Sequence, residues 1–127
     1  MNIVIIGSGG REHALCYKLL KSSKINKIYC IPGNAGTDEI ATNIFADIND
    51  FDEIYKIVLK LNVELIVVGP EIPLVNGIVD YFEKKNIKIF GPNKKCSQLE
   101  GSKFFMKNIC KKYNIPSAKY FEISDIN

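Results

Sequence analysis

The sequence predicts an α/β fold: a Rossmann-like, five-stranded parallel sheet with helices on both faces. Two observations support this prediction. Short apolar runs rich in Ile and Val recur along the chain, and such continuous runs are typical of strands buried on both faces of a parallel sheet. Segments with helical spacing of apolar residues separate these runs, and this alternation is typical of right-handed βαβ units.

The first half of the chain supplies three of the strands. Asn2–Ile6 is the first, and glycines follow it directly. A helix is expected from about residue 11 to residue 22, because its apolar residues fall on one stripe while its lysines face water. The second strand, Lys27–Ile31, leads into the loop Pro32–Thr37, which is rich in turn-forming residues. Asn43–Ala46 is predicted as a short third strand.

The second half continues the alternation. Asp50 begins a helix, and Glu53 three positions later has the spacing of a capping box. Glu64–Val68 is the fourth strand. After it a helix is predicted from about Pro73 to Lys85, with proline near the first helical position, where it is favoured. Ile87–Phe90 is predicted as the fifth strand.

The last part of the chain is predicted to be helical. Ser97 and Glu100 have the spacing of another capping box, and the helix is expected to continue to about Tyr113. Pro116 cannot continue a helix, so a break is expected there. Strand character returns at Lys119–Ile123. At 127 residues, the chain has the length of one ordinary domain.

Composition narrows the class of protein. The 127 residues carry a net charge of +3 with scattered lysines, whereas nucleic-acid binders gather basic residues on one face, so no nucleic-acid partner is expected. No apolar run reaches the ~18 residues of a membrane span, and no basic leader is visible at the start. Three of the four cysteines fall in apolar patterns and are expected to be reduced core residues. We expect a cytoplasmic protein without membrane contact.

The glycine turn after the first strand is the main candidate site. The amides of Gly9 and Gly10 precede a helix, and this arrangement binds anions such as phosphate. A nicotinamide dinucleotide is an alternative, but the third glycine of G-x-G-x-x-G would fall at Glu12, and no acidic residue follows the second strand. A phosphate or phosphosugar is favoured. A turn without any ligand is the remaining interpretation.

Arg11 and His13 follow the glycines directly. Arg11 could bind a phosphate through two parallel hydrogen bonds, or it could be a surface residue paired with a carboxylate. His13 is the only histidine in the sequence, and no Ser, Cys or carboxylate constellation can be assigned around it. We therefore predict no catalytic residue and no metal ligand in this chain.

Two further loops are expected at the same edge of the sheet, because the carboxyl ends of parallel strands lie together. Asn34, Gly36 and Thr37 lie in the loop after the second strand. Glu71 follows the fourth strand and could accept hydrogen bonds from an amine or from sugar hydroxyls. Its alternative role is favourable placement at a helix N-terminus, worth only about 0.3–1 kcal/mol. The turn at Gly91–Asn93 is expected to join these loops.

Four stretches carry a resemblance to a known family. They occur in this order: Gly9–Ala14, Pro32–Thr37, Gly69–Glu71 followed by Pro73-Leu74, and Gly91-Pro92 followed by Glu100–Lys103. Together they resemble the N-terminal part of the phosphoribosylamine–glycine ligase family. Each motif is weak alone, but the ordered set is specific, and it covers nearly the whole chain.

The resemblance implies an ATP-grasp ligase of purine biosynthesis, which joins glycine to 5-phosphoribosylamine while ATP is split to ADP and phosphate with Mg²⁺. It implies an N-terminal substrate-binding domain of the pre-ATP-grasp fold at residues 1–92. It also implies a helical connection and the start of a truncated ATP-grasp domain at residues 93–127. The sites implied for phosphoribosylamine are Gly9, Gly10, Arg11, Asn34, Gly36, Thr37 and Glu71, and Lys103 is implied to approach ATP.

The chain is much shorter than this family's enzymes, so ATP and Mg²⁺ are expected to bind largely outside it. We therefore expect a fragment that does not catalyse the ligation alone. With ATP, glycine and phosphoribosylamine it should release no ADP above background. The competing hypotheses are a nicotinamide-binding domain and a non-catalytic module for a phosphorylated ligand.

Overall fold

The computed structural model describes residues 1–121 and 123, which form the predicted α/β fold. Five strands make one sheet in the order β3-β2-β1-β4-β5, and every neighbouring pair is parallel. The strands are β1 Asn2–Gly7, β2 Lys27–Pro32, β3 Thr42–Asn43, β4 Val63–Val68 and β5 Ile89–Phe90. The predicted five-stranded parallel sheet is confirmed. The strand order reverses between β1 and β4, which is where ligands bind in open sheets of this type.

Helices cover both faces of this sheet, as predicted. In the described part of the chain they are α1 Gly10–Leu19, α2 Ala35–Asp38, α3 Phe51–Lys60, α4 Glu71–Asn76, α5 Ile78–Glu83, α6 Lys94–Gly101 and α7 Lys103–Lys112. Side chains alternate along β1 between the two faces. Ile3 and Ile5 pack with Cys16 of α1 on one face. Val4 and Ile6 pack on the other face, against the core formed with α3, α4 and α5.

The region after β2 differs from the prediction. Only Thr42–Asn43 pairs with β2, whereas the third strand was expected at Asn43–Ala46. The preceding loop contains a short helix, α2, which the sequence prediction did not include. Asn34 caps this helix, because its side-chain oxygen accepts a hydrogen bond from the Thr37 amide. Local capping therefore uses residues that looked like an open turn.

The predicted helix Pro73–Lys85 is two helices. It begins earlier, at Glu71, and it is interrupted at Gly77, whose backbone is left-handed with φ 98°. Glycine adopts this conformation without the steric cost of a Cβ atom. The Gly77 amide is bonded to the carbonyl groups of Pro73 and Leu74 at 3.0 Å. The interruption therefore comes from a single residue inside an otherwise continuous apolar stripe.

The predicted capping box at Ser97 and Glu100 is wrong. Asn93 caps α6, because its side-chain oxygen accepts from the Cys96 amide at 2.9 Å. Ser97 lies inside α6, where its hydroxyl donates to the Asn93 carbonyl at 2.8 Å. A second cap, Ser102, separates α6 from α7 and accepts from the Phe105 amide at 3.1 Å. At α3, by contrast, the predicted Asp50 cap is present, accepting from the Glu53 amide at 2.8 Å.

The C-terminal part follows the sheet without adding to it. α6 packs against α4 and α5, and α7 packs against α6. Residues 119–121 and 123 are not in a strand, so the strand predicted at Lys119–Ile123 is absent from the part that is described, and Glu122 lies outside the described residues. The division at residues 92 and 93 stays a prediction.

Two of the four cysteines are core residues, where three were expected. Cys16 and Cys30 are buried with their Sγ atoms 3.2 Å apart, whereas Cys96 is exposed and Cys110 is half-buried. Burial raises the pKa of the Cys30 thiol to about 12, and it also raises the pKa of Cys16. Both buried thiols are therefore neutral at physiological pH. No helix among the described residues is long and apolar enough to cross a membrane.

Candidate functional site

Three of the predicted loops meet at the carboxyl edge of the sheet. The register pairs Gly7 with Pro32 and Ile6 with Val68, so β1, β2 and β4 end side by side. Backbone hydrogen bonds tie the loops that follow. The Gly33 amide donates to the Gly7 carbonyl at 3.2 Å. The Gly69 amide donates to the Ile6 carbonyl at 3.0 Å. The loops therefore form one rim around the crevice between β1 and β4.

The two glycine amides predicted to bind phosphate are not equivalent. The Gly9 amide donates to Glu12 Oε2 at 2.6 Å, so a side chain of the protein already occupies it. Gly10 is the first residue of α1, is exposed, and its amide has no acceptor among the described residues. The first amides of a helix point out of its end, where the helix dipole favours negative charge. Gly10 is thus the better placed of the two amides for an anion.

Glu12 is the residue whose role the sequence analysis missed. Its side chain folds back under the turn and is only 4% exposed. A Cβ atom on Gly69 would overlap Glu12 Oε1, and one on Gly7 would lie 2.7 Å from Glu12 Cδ. The glycines at both strand ends therefore make room for this carboxylate. A signal was present, because Gly9 and Glu12 have the spacing of an N-cap and the glutamate that returns to it.

Arg11 spans the crevice. Its Nη1 donates to the Gly69 carbonyl, linking the turn after β1 to the loop after β4. Its Nε lies 4.0 Å from Glu12 Oε1, and 60% of its side chain is exposed. Arg11 is also the only arginine in the sequence. The guanidinium is therefore fixed at the mouth of the crevice and has further N–H groups to offer a ligand.

Asn34 and Thr37 lock the loop after β2 onto the glycine turn. Asn34 Nδ2 donates to the Ser8 and Gly9 carbonyls at 2.8 and 3.1 Å. The Thr37 hydroxyl accepts from the Asn34 amide at 2.7 Å, and Thr37 is completely buried. Thr37 was predicted to line the substrate site, but burial gives it a supporting position instead. Asn34 is half-buried and lies at the rim.

Asn43 also holds this loop in place through hydrogen bonds, although the sequence analysis did not single it out. Its Oδ1 accepts from the Thr37 hydroxyl at 2.7 Å, and its Nδ2 donates to the Asn34 carbonyl at 2.8 Å. A Cβ atom on Gly33 would overlap the Asn43 amide group. Asn43 belongs to β3, beyond the helix α2, so no capping or turn spacing in the sequence indicates its contact with the loop.

Gly36 lies against the ring of His13. A Cβ atom on Gly36 would be 3.4 Å from both Cδ2 and Cε1 of the imidazole. His13 is half-buried, and its backbone amide donates to the Gly9 carbonyl at 3.2 Å. These contacts make His13 a packing residue between α1 and α2.

Glu71 is exposed at the first position of α4. It borders a cavity of about 300 Å³ between α4 and α6, together with Ile72, Val75, Asn76, Glu100 and Gly101. Pro70 precedes it as the N-cap of α4. In sequence, Glu71 follows the Gly69 carbonyl that Arg11 contacts by two residues, but its side chain borders the cavity beside α6.

Lys103 lies away from the crevice at the carboxyl edge of the sheet. It begins α7 and borders a cavity of about 330 Å³ formed with Phe104, Lys107, Tyr120, Phe121 and Ile123. The structure thus groups Gly9, Gly10, Arg11, Asn34 and Gly36 around one crevice. Glu71 follows the loop after β4 and borders the separate cavity beside α6, and Lys103 lies outside both. Within residues 1–121 and 123, no group of three His, Cys, Asp or Glu side chains could hold a metal ion. The described rim offers the Gly10 amide and the Arg11 guanidinium as exposed hydrogen-bond donors.

A family model matches most of the chain. The model described as "Phosphoribosylglycinamide synthetase, N domain" aligns with residues 1–100. This range includes the crevice, the rim and most of α6.

The curated relatives of this chain carry names that agree with this family model. Phosphoribosylamine–glycine ligase of Caldanaerobacter subterraneus is 44% identical over 94% of this chain and 29% of its own length. The Clostridium acetobutylicum enzyme of the same name is 47% identical over 98% of this chain and 30% of its own length. The chain thus spans about 30% of the length of these two relatives. The crystal structure of phosphoribosylamine–glycine ligase from Thermotoga maritima superposes with a TM-score of 0.63 at 32% identity, covering 94% of this chain and 26% of that one.

Proposed function

The chain belongs to the family of phosphoribosylglycinamide synthetase N domains, and we propose that its rim binds the 5-phosphoribosylamine of a phosphoribosylamine–glycine ligase in purine biosynthesis. The observation that carries the proposal is the pairing of the only arginine with an outward-facing helix amide at the sheet's switch point. Arg11 and the Gly10 amide flank one crevice, and together they suit the phosphate group of a phosphosugar.

The proposed orientation follows from the charges around the crevice. The 5-phosphate lies by Gly10 and Arg11, where the helix end and the guanidinium favour a dianion. Asn34 and Gly36 border the ribose. The Glu71 carboxylate accepts hydrogen bonds from the sugar hydroxyls or the amine at the other end. Because a carboxylate repels phosphate, its position opposes the reverse orientation.

In the ligation that the relatives' name implies, glycine is first activated as an acyl phosphate. The amine nitrogen of phosphoribosylamine then attacks the acyl carbon, the C–N bond forms, the C–O bond to phosphate breaks, and the amine loses a proton. The contribution we propose for this chain is to hold the nucleophile by its phosphate. ATP is the energy source of the proposed reaction and Mg²⁺ its metal, but no residue of this chain is assigned to the metal. Soluble substrates of this kind agree with the expected cytoplasmic location.

The nicotinamide alternative has less support. Glu12 stands where the dinucleotide fingerprint has its third glycine, and its carboxylate takes the Gly9 amide. β2 ends in Cys30-Ile31-Pro32 and so lacks the acidic residue that holds a ribose in dinucleotide sites. Titration with NAD(H) separates the two hypotheses, and micromolar binding would favour the dinucleotide.

Calorimetric titration with ribose 5-phosphate, a stable analogue of phosphoribosylamine, tests the proposal on this chain. Arg11→Ala should weaken binding by about tenfold or more, since a charge-assisted hydrogen bond contributes roughly 1.5–3 kcal/mol. Glu71→Ala should weaken it less. Lys111→Ala and Glu53→Ala are the matched controls, because both residues are exposed and lie on other elements.

Circular dichroism must show that each variant is folded, because Arg11 also contacts the Gly69 carbonyl. Arg11→Lys keeps the charge but loses the fork of donors, so it should bind with intermediate affinity. If Arg11→Ala and Glu71→Ala both bind ribose 5-phosphate as tightly as the wild type, the site is misplaced.

A further inference from the structure

The buried carboxylate of Glu12 has no counterpart in a simple phosphate-binding turn. An anion site at the start of a helix works through bare amides and the positive end of the helix. Here the third residue of the helix is an acid that is only 4% exposed, and its Oε2 takes the Gly9 amide at 2.6 Å. One of the two amides of the turn is therefore bonded to a side chain of the protein itself, and that side chain is an acid.

The same side chain fills the space between the ends of β1 and β4. The Cβ positions of both Gly7 and Gly69 would collide with it. In dinucleotide-binding sheets this region must be open, because the backbone there approaches a pyrophosphate closely. The Glu12 side chain thus closes the floor of the crevice, both through its volume and through its charge.

The outer part of the crevice is different in character. The Gly10 amide is exposed at the end of α1, and a Cβ atom on Gly10 would meet nothing within 4 Å. The guanidinium of Arg11 is 60% exposed beside it. An anion approaching from solvent meets these donors first and can be held there without reaching Glu12.

We propose that Glu12 is a specificity-determining residue: it limits the crevice to a terminal phosphate monoester held at Gly10 and Arg11, and it excludes the pyrophosphate diester of a nucleotide conjugate from the turn. This inference deepens the proposed function, since it names the phosphate chemistry that the same site accepts. Glu12 acts through the Gly9 amide and through its charge and volume, so it is not a catalytic residue.

Two probes share the sugar and differ in the phosphate. Ribose 5-phosphate ends in a monoester, and ADP-ribose carries the same ribose 5-phosphate as part of a pyrophosphate. The readout is the ratio of their dissociation constants, measured by calorimetry at low ionic strength with this chain. The variants are Glu12→Ala, which frees the Gly9 amide and the space, and Glu12→Gln, which keeps the volume and the acceptor but removes the charge.

For Glu12→Ala, the affinity for ADP-ribose should rise about tenfold, because a donor becomes available to a charged acceptor. For Glu12→Gln, the gain should be smaller, about two- to fivefold, since only the charge near the helix end is removed. The affinity for ribose 5-phosphate should change less in both, so the ratio shifts toward ADP-ribose. Glu53→Ala and Glu53→Gln are the matched controls, because Glu53 is the third residue of α3 and is exposed.

A purely structural role for Glu12 predicts a different pattern. Loss of fold would weaken both ligands together and lower the urea midpoint, without a change in the ratio. If Glu12→Gln is folded and the ratio equals that of the wild type, the inference is overturned. If instead the wild type does not bind ribose 5-phosphate at all, the proposed function fails, while a gain of ADP-ribose binding in Glu12→Ala would still support the role of Glu12.

Discussion

The single residue with the widest structural effect is Glu12. Its carboxylate, folded beneath the glycine turn, explains why β1 ends in Gly7 and why Gly69 follows β4. The sequence indicates the glycines and the strand-to-helix turn, because these depend on local chemistry. It does not reveal that the glycines serve a buried acid, since that depends on the packing of two strand ends far apart in the chain.

Gly69→Ala is expected to destabilise the protein by about 1–3 kcal/mol, because the added methyl group overlaps Glu12 Oε1 and must displace a buried carboxylate. Urea denaturation measures the change in the free energy of unfolding. The control is Gly10→Ala, whose Cβ meets nothing within 4 Å. Its effect should be neutral or stabilising by up to about 1 kcal/mol, as in other helices. Equal losses in the two variants would contradict the packing described for Glu12.

Thr37 and Asn43 show the same limit of sequence analysis. The turn formers Asn34, Gly36 and Thr37 identify a loop at the sheet edge, and the structure places it there. That Thr37 is buried and supports the loop depends on the hydroxyl contact with Asn43 at 2.7 Å. A partner across the loop has no local signature, so exposed and supporting residues could not be distinguished.

Among the elements, the strands and long helices are predictable and the helix ends are less so. The buried strands β1, β2 and β4 have continuous apolar runs, which are typical of a parallel sheet. The break between α4 and α5 was missed because the apolar stripe continues across Gly77. The start of α6 was misplaced because Ser97 and Glu100 have cap spacing, yet Asn93 lies earlier and caps first.

The capping of α6 is tested by comparing two alanine substitutions. Asn93→Ala should lower the free energy of unfolding by about 1 kcal/mol, since it removes the N-cap bond to the Cys96 amide. Glu100→Ala removes an exposed side chain near the end of the helix and should change stability by about 0.5 kcal/mol or less. Thermal or urea unfolding supplies both values. If Glu100→Ala lost more stability than Asn93→Ala, the cap predicted at Ser97 and Glu100 would be favoured instead.

The whole molecule is organised by the sheet order β3-β2-β1-β4-β5, which brings three separate loops to one crevice. This convergence was predictable, because parallel strands with crossover helices place all their carboxyl ends together. The packing of α7 against α6 was not, since it depends on tertiary contacts that the pattern of α7 does not specify.

Thiol accessibility reports on the integrity of this sheet. With iodoacetamide at about pH 8, Cys96 should be alkylated at least about 100-fold faster than Cys16 and Cys30, since buried neutral thiols are unreactive. Cys16 lies on α1 and Cys30 on β2, so both become reactive only when α1 separates from the sheet. Mass spectrometry of timed samples gives the rates, and urea should equalise them. Rapid labelling of Cys30 in the folded protein would show that this face is open.

The central claim is that the rim at the carboxyl edge binds a phosphosugar through Gly10 and Arg11. The most direct measurement is a titration of the ¹⁵N-labelled chain with ribose 5-phosphate, followed by amide NMR shifts. Saturable shifts are expected for the amides of Gly10, Arg11, Gly36 and Glu71, with little change for α7. Shifts confined to α7, or none that saturate, would contradict it.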